Sequence, residues 1–185
     1  MKFLIVGLGN IGAEYELTRH NIGFLVADYL AEKGKAKFEP SRLASSAIIK
    51  HKGKNIHIVK PSTYMNLSGK AVNYWMQQLK IPLERTLIIT DDIALPFERI
   101  RMRQKGSSAG HNGLKNIEET VGHNYPRLRV GIGNDFAKGK QIDFVLSKFT
   151  DQEIEVLPKV IKTAGEAALS FCTIGIERTM NFFNN

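Results

Sequence analysis

The sequence predicts an α/β fold, a single globular domain with a mixed central β-sheet flanked by helices. Short apolar runs such as "KFLIV", "RTLIIT" and "RLRVGIG" alternate with segments whose apolar residues recur at helical spacing, the order that builds parallel strands with crossover helices. One pair of apolar runs is joined instead by a tight Lys52-Gly53 turn, which inserts an antiparallel hairpin and makes the sheet mixed. A chain of 185 residues, 43% of them hydrophobic, suits one core, so the domain is expected to span 1–185.

Each element follows from local pattern. Lys2 to Val6 reads as a buried strand that empties into "GLGNIG". From Asn21, "NIGFLVADYLAEKG" sets Phe24, Leu25, Asp28 and Tyr29 at helical intervals, with Gly34 as the stop. In "ASSAIIKHKGKNIHIVKP" the second hairpin strand alternates Ile56, Ile58 and Lys60 and ends at Pro61. A helix beginning near Ser68 presents Val72, Trp75, Met76 and Leu79 on one side. "RTLIITDD" is the central strand, and it ends in two carboxylates. "RIRMRQ" gives a strand, "KGSSAGHNG" a loop of small residues, "LKNIEETVG" a helix and "RLRVGIG" another strand. Thr150 and Glu153 form a capping-box pattern at the head of a long amphipathic helix, and "IERTMNFF" closes the chain as a short one.

Composition narrows the chemistry. A net charge of +8 draws polyanions, and lysine and arginine recur in several separate loops, which suggests one basic face for nucleic acid. The lone Cys172 cannot form an internal disulfide, and the five histidines make no zinc-ligand spacing, so neither metal nor cofactor is expected. Glycine and asparagine interrupt the N-terminal apolar run well short of a membrane span or signal-peptide core. A cytoplasmic protein without a membrane partner is the expectation.

"GLGNIG" has the glycine spacing of a dinucleotide-binding turn. That motif requires a helix to open at once on the pyrophosphate and an acidic residue at the end of the next strand. Here polar "AEYELTRHN" follows, and Asp28, about twenty residues on, falls inside the expected helix. The glycines are better read as turning the chain sharply so that Asn10 faces a cleft.

Polar residues collect where elements end: Asn10, His20-Asn21, Asn66, Asp91-Asp92 and His111-Asn112. A histidine with a carboxylate makes a general-base pair, and asparagine amides can donate to a carbonyl or a developing oxyanion without adding charge. This combination suits hydrolysis by activated water, since no Gly-x-Ser-x-Gly elbow or Cys-His motif offers a nucleophile. Each residue also has a plainer role: His20 as a helix cap, Asn66 at a helix start, Asn112 in a loop-to-helix turn, and His51, His57 and His123 on the surface.

"GLGNIGAEYELTRHNIG", "KPSTYMNLSG", "DDIALP", "GHNGLKNI", "RLRVGIG" and the terminal "MNFF" together resemble bacterial peptidyl-tRNA hydrolases, over nearly the whole chain and in the family's order. The resemblance implies a cytosolic, cofactor-free monomer with no obligate protein partner. Its activity would be cleavage of the ester between a peptide and the 3'-terminal adenosine of peptidyl-tRNA, held by the acceptor stem and 3' CCA end. Carried onto this sequence, the catalytic base falls on His20 and its carboxylate partner on Asp91. Substrate contacts fall on Asn10, Asn66 and Asn112, with Tyr15 and Met65 lining the cleft. Arg101, Arg103 and Lys105 match positions for acceptor-stem phosphates, and Arg127 and Arg129 are further candidates. The chain departs from the common pattern at Thr90, Asp92 and Ala94, where the family often has His, Glu and Asp. It departs again at Ser107, Ser108 and Ala109 in a loop that is usually glycine-rich. A non-catalytic RNA-binding relative would share the basic charge, and the presence of both His20 and Asp91 favours the enzyme.

Overall fold

The computed structural model describes residues 1–184. Seven strands, β1 (Lys2–Gly7), β2 (Glu39–Ser41), β3 (Ala44–His51), β4 (Lys54–Pro61), β5 (Thr86–Asp92), β6 (Ile100–Arg103) and β7 (Arg127–Gly131), form one sheet in the order β2-β3-β4-β1-β5-β7-β6. β1 runs parallel to β4 and β5, and β5 parallel to β7, whereas β2, β3 and β6 pair antiparallel with their neighbours. The mixed α/β sheet expected from the alternation of patterns is therefore present.

Six helices cover it: α1 (Ile22–Lys33), α2 (Ser68–Leu79), α3 (Asn112–Val121), α4 (Gln141–Val145), α5 (Asp151–Ile174) and α6 (Ile176–Phe183). Alternation along the buried strands feeds two cores. Phe3, Ile5, Leu87 and Ile89 point toward α1 and α5, while Leu4, Val6 and Ile88 point toward α2 and α3. The capping box at Thr150 and Glu153 forms as the sequence suggests. Two short elements, β2 with its central Pro40 and the five-residue α4, carry too little periodicity to be legible.

The buried side of α1 differs from the Phe24-Leu25 stripe. Ile22, Gly23, Val26, Ala27 and Leu30 face the core, and Phe24 and Leu25 are only half-buried. Small residues decide this, because a Cβ on Gly23 would lie 2.5 Å from the backbone of Leu8, and one on Gly7 2.2 Å from the carbonyl of Gly23. Backbone approaches backbone there, so the helix is drawn down through its glycine side. No helix opens at the glycine turn. Gly12 has φ 118°, short 3-10 turns follow at Ala13–Tyr15 and Arg19–Asn21, and α1 starts only at Ile22. The pyrophosphate-binding geometry is absent from this turn, in line with the reading of the sequence. No described helix is long and apolar enough to cross a membrane.

Candidate active site

The carboxyl ends of β1, β4, β5 and β7 open onto one edge of the sheet. β1 lies there between β4 and β5, where the order of strands reverses and α/β folds form their crevice. Asn10 follows β1, Met65-Asn66 follow β4, Asp91 is the penultimate residue of β5, and Asn112 starts α3. The turn that carries His20 lies in front of α1 and contacts β5.

Asp91 is 2% exposed and has a histidine on each carboxylate oxygen. His20 Nδ1 lies 2.8 Å from Oδ2, and His111 Nε2 lies 2.8 Å from Oδ1. The His111 tautomer follows from its other nitrogen. Nδ1 accepts the backbone N–H groups of Gly113 and Leu114 at the head of α3, so it carries no proton and Nε2–H is the donor. Thr90 Oγ1 sits 2.9 Å from the same Nε2, so this departure from the family pattern joins the network. Burial alone would raise the Asp91 pKa, but His111 and His20 hold it well below the usual carboxylate range. Burial works against the His20 imidazolium as well, yet the charge and hydrogen bond of Asp91 prevail and raise its pKa. His20 Nε2 has no partner among the described residues, and His20 lines a cavity of about 60 Å³ with Asp91, Gly110, Asn112 and Ile142. That space accommodates a few water molecules.

The asparagines divide into a held one and two free ones. Asn10 is 8% exposed, and its Oδ1 accepts the Met65 N–H at 2.9 Å. The side chain of Asn21 grips the Asn10 backbone from both sides, accepting its N–H at 2.8 Å and donating to its carbonyl at 2.9 Å. Asn10 thus ties the β4 loop to the turn beside His20. Asn66 and Asn112 are exposed and their side chains make no hydrogen bond within the described residues, which leaves both amides available. Tyr15 is half-buried in its 3-10 turn and lines neither this cavity nor the larger groove beside Asn10. Met65 departs from the expected cleft wall. It is 4% exposed and packs into the core against α3, where its sulfur would sit 2.7 Å from a Cβ on Gly113.

The expected phosphate contacts also separate. Arg101, Arg103 and Lys105 are exposed, and β6 pairs with β7 so that Arg101 opposes Arg129 and Arg103 opposes Arg127. Met102, Leu128 and Val130 alternate into the α1/α5 core, so all four arginines stand on the other face. Like charges directly opposed across a ladder repel unless something between them is anionic. Arg129 is half-buried at the cavity edge, donating to the Ser107 carbonyl at 2.6 Å, with Asp92 3.9 Å away. Arg127 must be withdrawn from the phosphate set: it is 0% exposed, its guanidinium lies 3.8 Å over the Tyr125 ring, and it donates to the carbonyl of His123 at 2.5 Å. α3, lying over that part of the face, is the reason, with Glu118 3.6 Å from the buried cation.

Donor chemistry would also allow a metal at His20, Asp91 and His111, whose ligand atoms lie within 4.8 Å of one another. The 2.8 Å nitrogen-to-oxygen separations are those of direct hydrogen bonds, so a metal would have to replace both. Three residues outside the set that the resemblance assigns shape the site: His111 and Asn21, which the sequence places among the polar residues at element ends, and Arg19. The first two sit inside the motifs "GHNG" and "RHN", but histidine is not a usual helix cap, and no spacing rule points Asn21 back to Asn10.

Fold and site together define a single-sheet α/β protein with a histidine-carboxylate centre at the switch point of its strands and a basic strand face beside it. The pattern of the peptidyl-tRNA hydrolase family matches residues 4–185. The peptidyl-tRNA hydrolase of Cytophaga hutchinsonii is 58% identical over 185 residues, covering 100% of this chain and 98% of that protein. That of Bacteroides fragilis strain YCH46 is 57% identical, covering 100% and 99%. The crystal structure of peptidyl-tRNA hydrolase from Acinetobacter baumannii superposes with a TM-score of 0.93 at 33% identity, over 98% of this chain and 94% of that one. This chain belongs to the peptidyl-tRNA hydrolase family.

Proposed function

We propose that this enzyme hydrolyses the ester joining a peptide to the 3' end of tRNA, releasing free tRNA, and that His20 is the base that activates the attacking water. The observation that carries the mechanism is the pairing of His20 Nδ1 with a buried, ionised Asp91 at 2.8 Å, with Nε2 left open to the cavity. Asp91 holds the proton on Nδ1, which keeps the Nε2 lone pair free, and it stabilises the imidazolium that forms when Nε2 takes a proton from water. The hydroxide oxygen attacks the ester carbonyl as that proton leaves. Asn66 and Asn112 donate to the carbonyl and to the oxyanion that develops on it. Collapse of the tetrahedral intermediate expels the 3' oxygen of the terminal ribose, which receives the proton back from His20.

An acyl ester asks only for a positioned water, a base near neutrality and oxyanion donors. Substrate selection then rests on the tRNA. Arg101, Arg103 and Lys105 meet acceptor-stem phosphates, and such contacts position the substrate without reading base edges. Arg129 adds its charge at the junction between that face and the cavity.

The test is turnover of a purified N-acetyl-aminoacyl-tRNA, with free aminoacyl-tRNA as the control. Wild-type enzyme releases tRNA, and His20→Ala reduces kcat by about 100-fold or more with binding retained. Wild-type turnover by His20→Ala would remove His20 as the base.

A further inference from the structure

We propose that Arg19 and Glu153 are positioning residues of the catalytic centre, locking the turn that carries His20 against the wall built by α4. This inference rests on the reading of His20 as the base.

Two stretches far apart in sequence are joined at this place. Phe149 N–H donates to Leu17 O at 3.2 Å and Arg19 N–H to Ser147 O at 3.0 Å, with a bridge between Thr18 and Lys148. The Arg19 side chain, next to His20 in sequence, secures the joint from within. It is 6% exposed, and its Nη2 donates to Glu153 Oε1 at 2.7 Å. Nη1 donates to the Lys148 carbonyl at 3.0 Å and to the Ser147 hydroxyl. The guanidinium lies 4.3 Å from the centre of the Phe144 ring, on α4. Glu153 Oε1 also accepts the Thr150 N–H at 2.9 Å, so one carboxylate both caps α5 and pairs Arg19.

The joint has a direction. α4 supplies Gln141, Ile142 and Val145 to the cavity that His20 faces. His20 is thereby held on one side by Asn21, gripping Asn10, and on the other by Arg19, gripping the α4–α5 junction. A buried ion pair adds little net stability over well-packed apolar side chains, whereas a planar guanidinium fixed at several acceptors sets an orientation. The quantity set here is the place of His20 between Asp91 and the cavity, where a displacement near 1 Å lowers turnover by about 100-fold.

The test compares Glu153→Gln, Arg19→Lys and Arg19→Met with wild type and His20→Ala, using the full chain and N-acetyl-aminoacyl-tRNA at a temperature where every variant is folded by circular dichroism. Glutamine preserves the capping box and removes the charge, so Glu153→Gln retains the fold. The expected result is a fall in kcat of about 10- to 100-fold with KM changed less than about 3-fold, because the phosphate face is untouched. The acid limb of the pH profile moves to lower pH as His20 loosens from Asp91. Arg19→Lys, which keeps the ion pair but not the fork, retains more activity than Arg19→Met. A lowered melting temperature with wild-type kcat and an unmoved acid limb overturns the proposal and leaves His20 as the base. Wild-type turnover by His20→Ala overturns both.

Discussion

His111 holds the carboxylate oxygen of Asp91 that His20 leaves open, with its Nε2 2.8 Å from Oδ1 and its ring centre 4.9 Å from that of His20. Both carboxylate oxygens are therefore occupied by donors, and the charge is fixed in place inside the protein. Asp91→Asn retains the shape but offers one acceptor to two donors. We expect kcat to fall by about 100- to 10,000-fold, because His20 loses the partner that sets its tautomer. The residual activity should show an acid limb at lower pH than wild type, since burial alone depresses the His20 pKa once the carboxylate is gone. A pH–rate series on both proteins checks this, and an unmoved limb would show that another group titrates.

The same pair makes folding stability depend on pH. The folded Asp91 pKa is depressed, so its contribution is present above the unfolded value of about 3.9 and is lost as pH falls through the folded value. The folded His20 pKa is raised, so its contribution is full below about 6.5 and is lost as pH rises through the folded value. The two shifts share the His20–Asp91 interaction, which stabilises most between about pH 4 and 6.5, while His111 contributes to the depression at Asp91 as well. Urea midpoints of wild type and His20→Gln should differ most in that window and converge above it. A difference independent of pH would show that the pair is not coupled.

The sheet was legible because each buried strand is a short β-branched run with a polar end, and the helices because their apolar residues recur at the right interval. The site was legible in outline for the same reason: Asn10, Asp91 and Asn112 stand where strands or loops end, and such ends meet at one edge of a parallel sheet. What remained hidden depends on packing across the sequence. Arg127 and Arg129 read alike in "RLR", and only the cover of α3 makes one a buried structural cation and the other a cavity residue. Met65 reads as a cleft residue, but Gly113 leaves room for its side chain inside. The part played by His111 stayed hidden because it requires both a helix head and a carboxylate 20 positions away.

The arginines give a test in which salt discriminates. Replacing Arg101 or Arg103 with Gln should weaken tRNA binding and reduce the slope of log affinity against log salt by about 1 each, as one fewer phosphate is neutralised. Arg127→Gln should leave that slope unchanged and lower the melting temperature, because it removes a buried cation stacked on Tyr125 and close to Glu118. Filter binding at several salt concentrations measures both. An altered slope for Arg127→Gln would return that residue to the phosphate surface.

Asn21 offers the sharpest test of how the cleft is kept in shape. Its amide donates to the Asn10 carbonyl and accepts the Asn10 N–H, and at 4% exposure no water can replace either bond easily. Asn21→Asp has the same size and keeps the acceptor, but it sets a carboxylate oxygen against a carbonyl oxygen. The variant should lose about 1–3 kcal/mol of stability at neutral pH. It should also lose turnover, because Asn10 no longer holds the Met65 N–H and the adjoining Asn66 drifts. Acid supplies a control within the same molecule. Protonating the introduced carboxylate restores a donor, and its place against a carbonyl oxygen raises its folded pKa above the unfolded value of about 3.9, so the stability deficit against wild type should shrink as pH falls from neutral toward about 4 and level off below it. A deficit unchanged between neutral and acid pH would mean that the variant fails for some reason other than the lost donor, and the two-sided grip on Asn10 would not be what holds the turn.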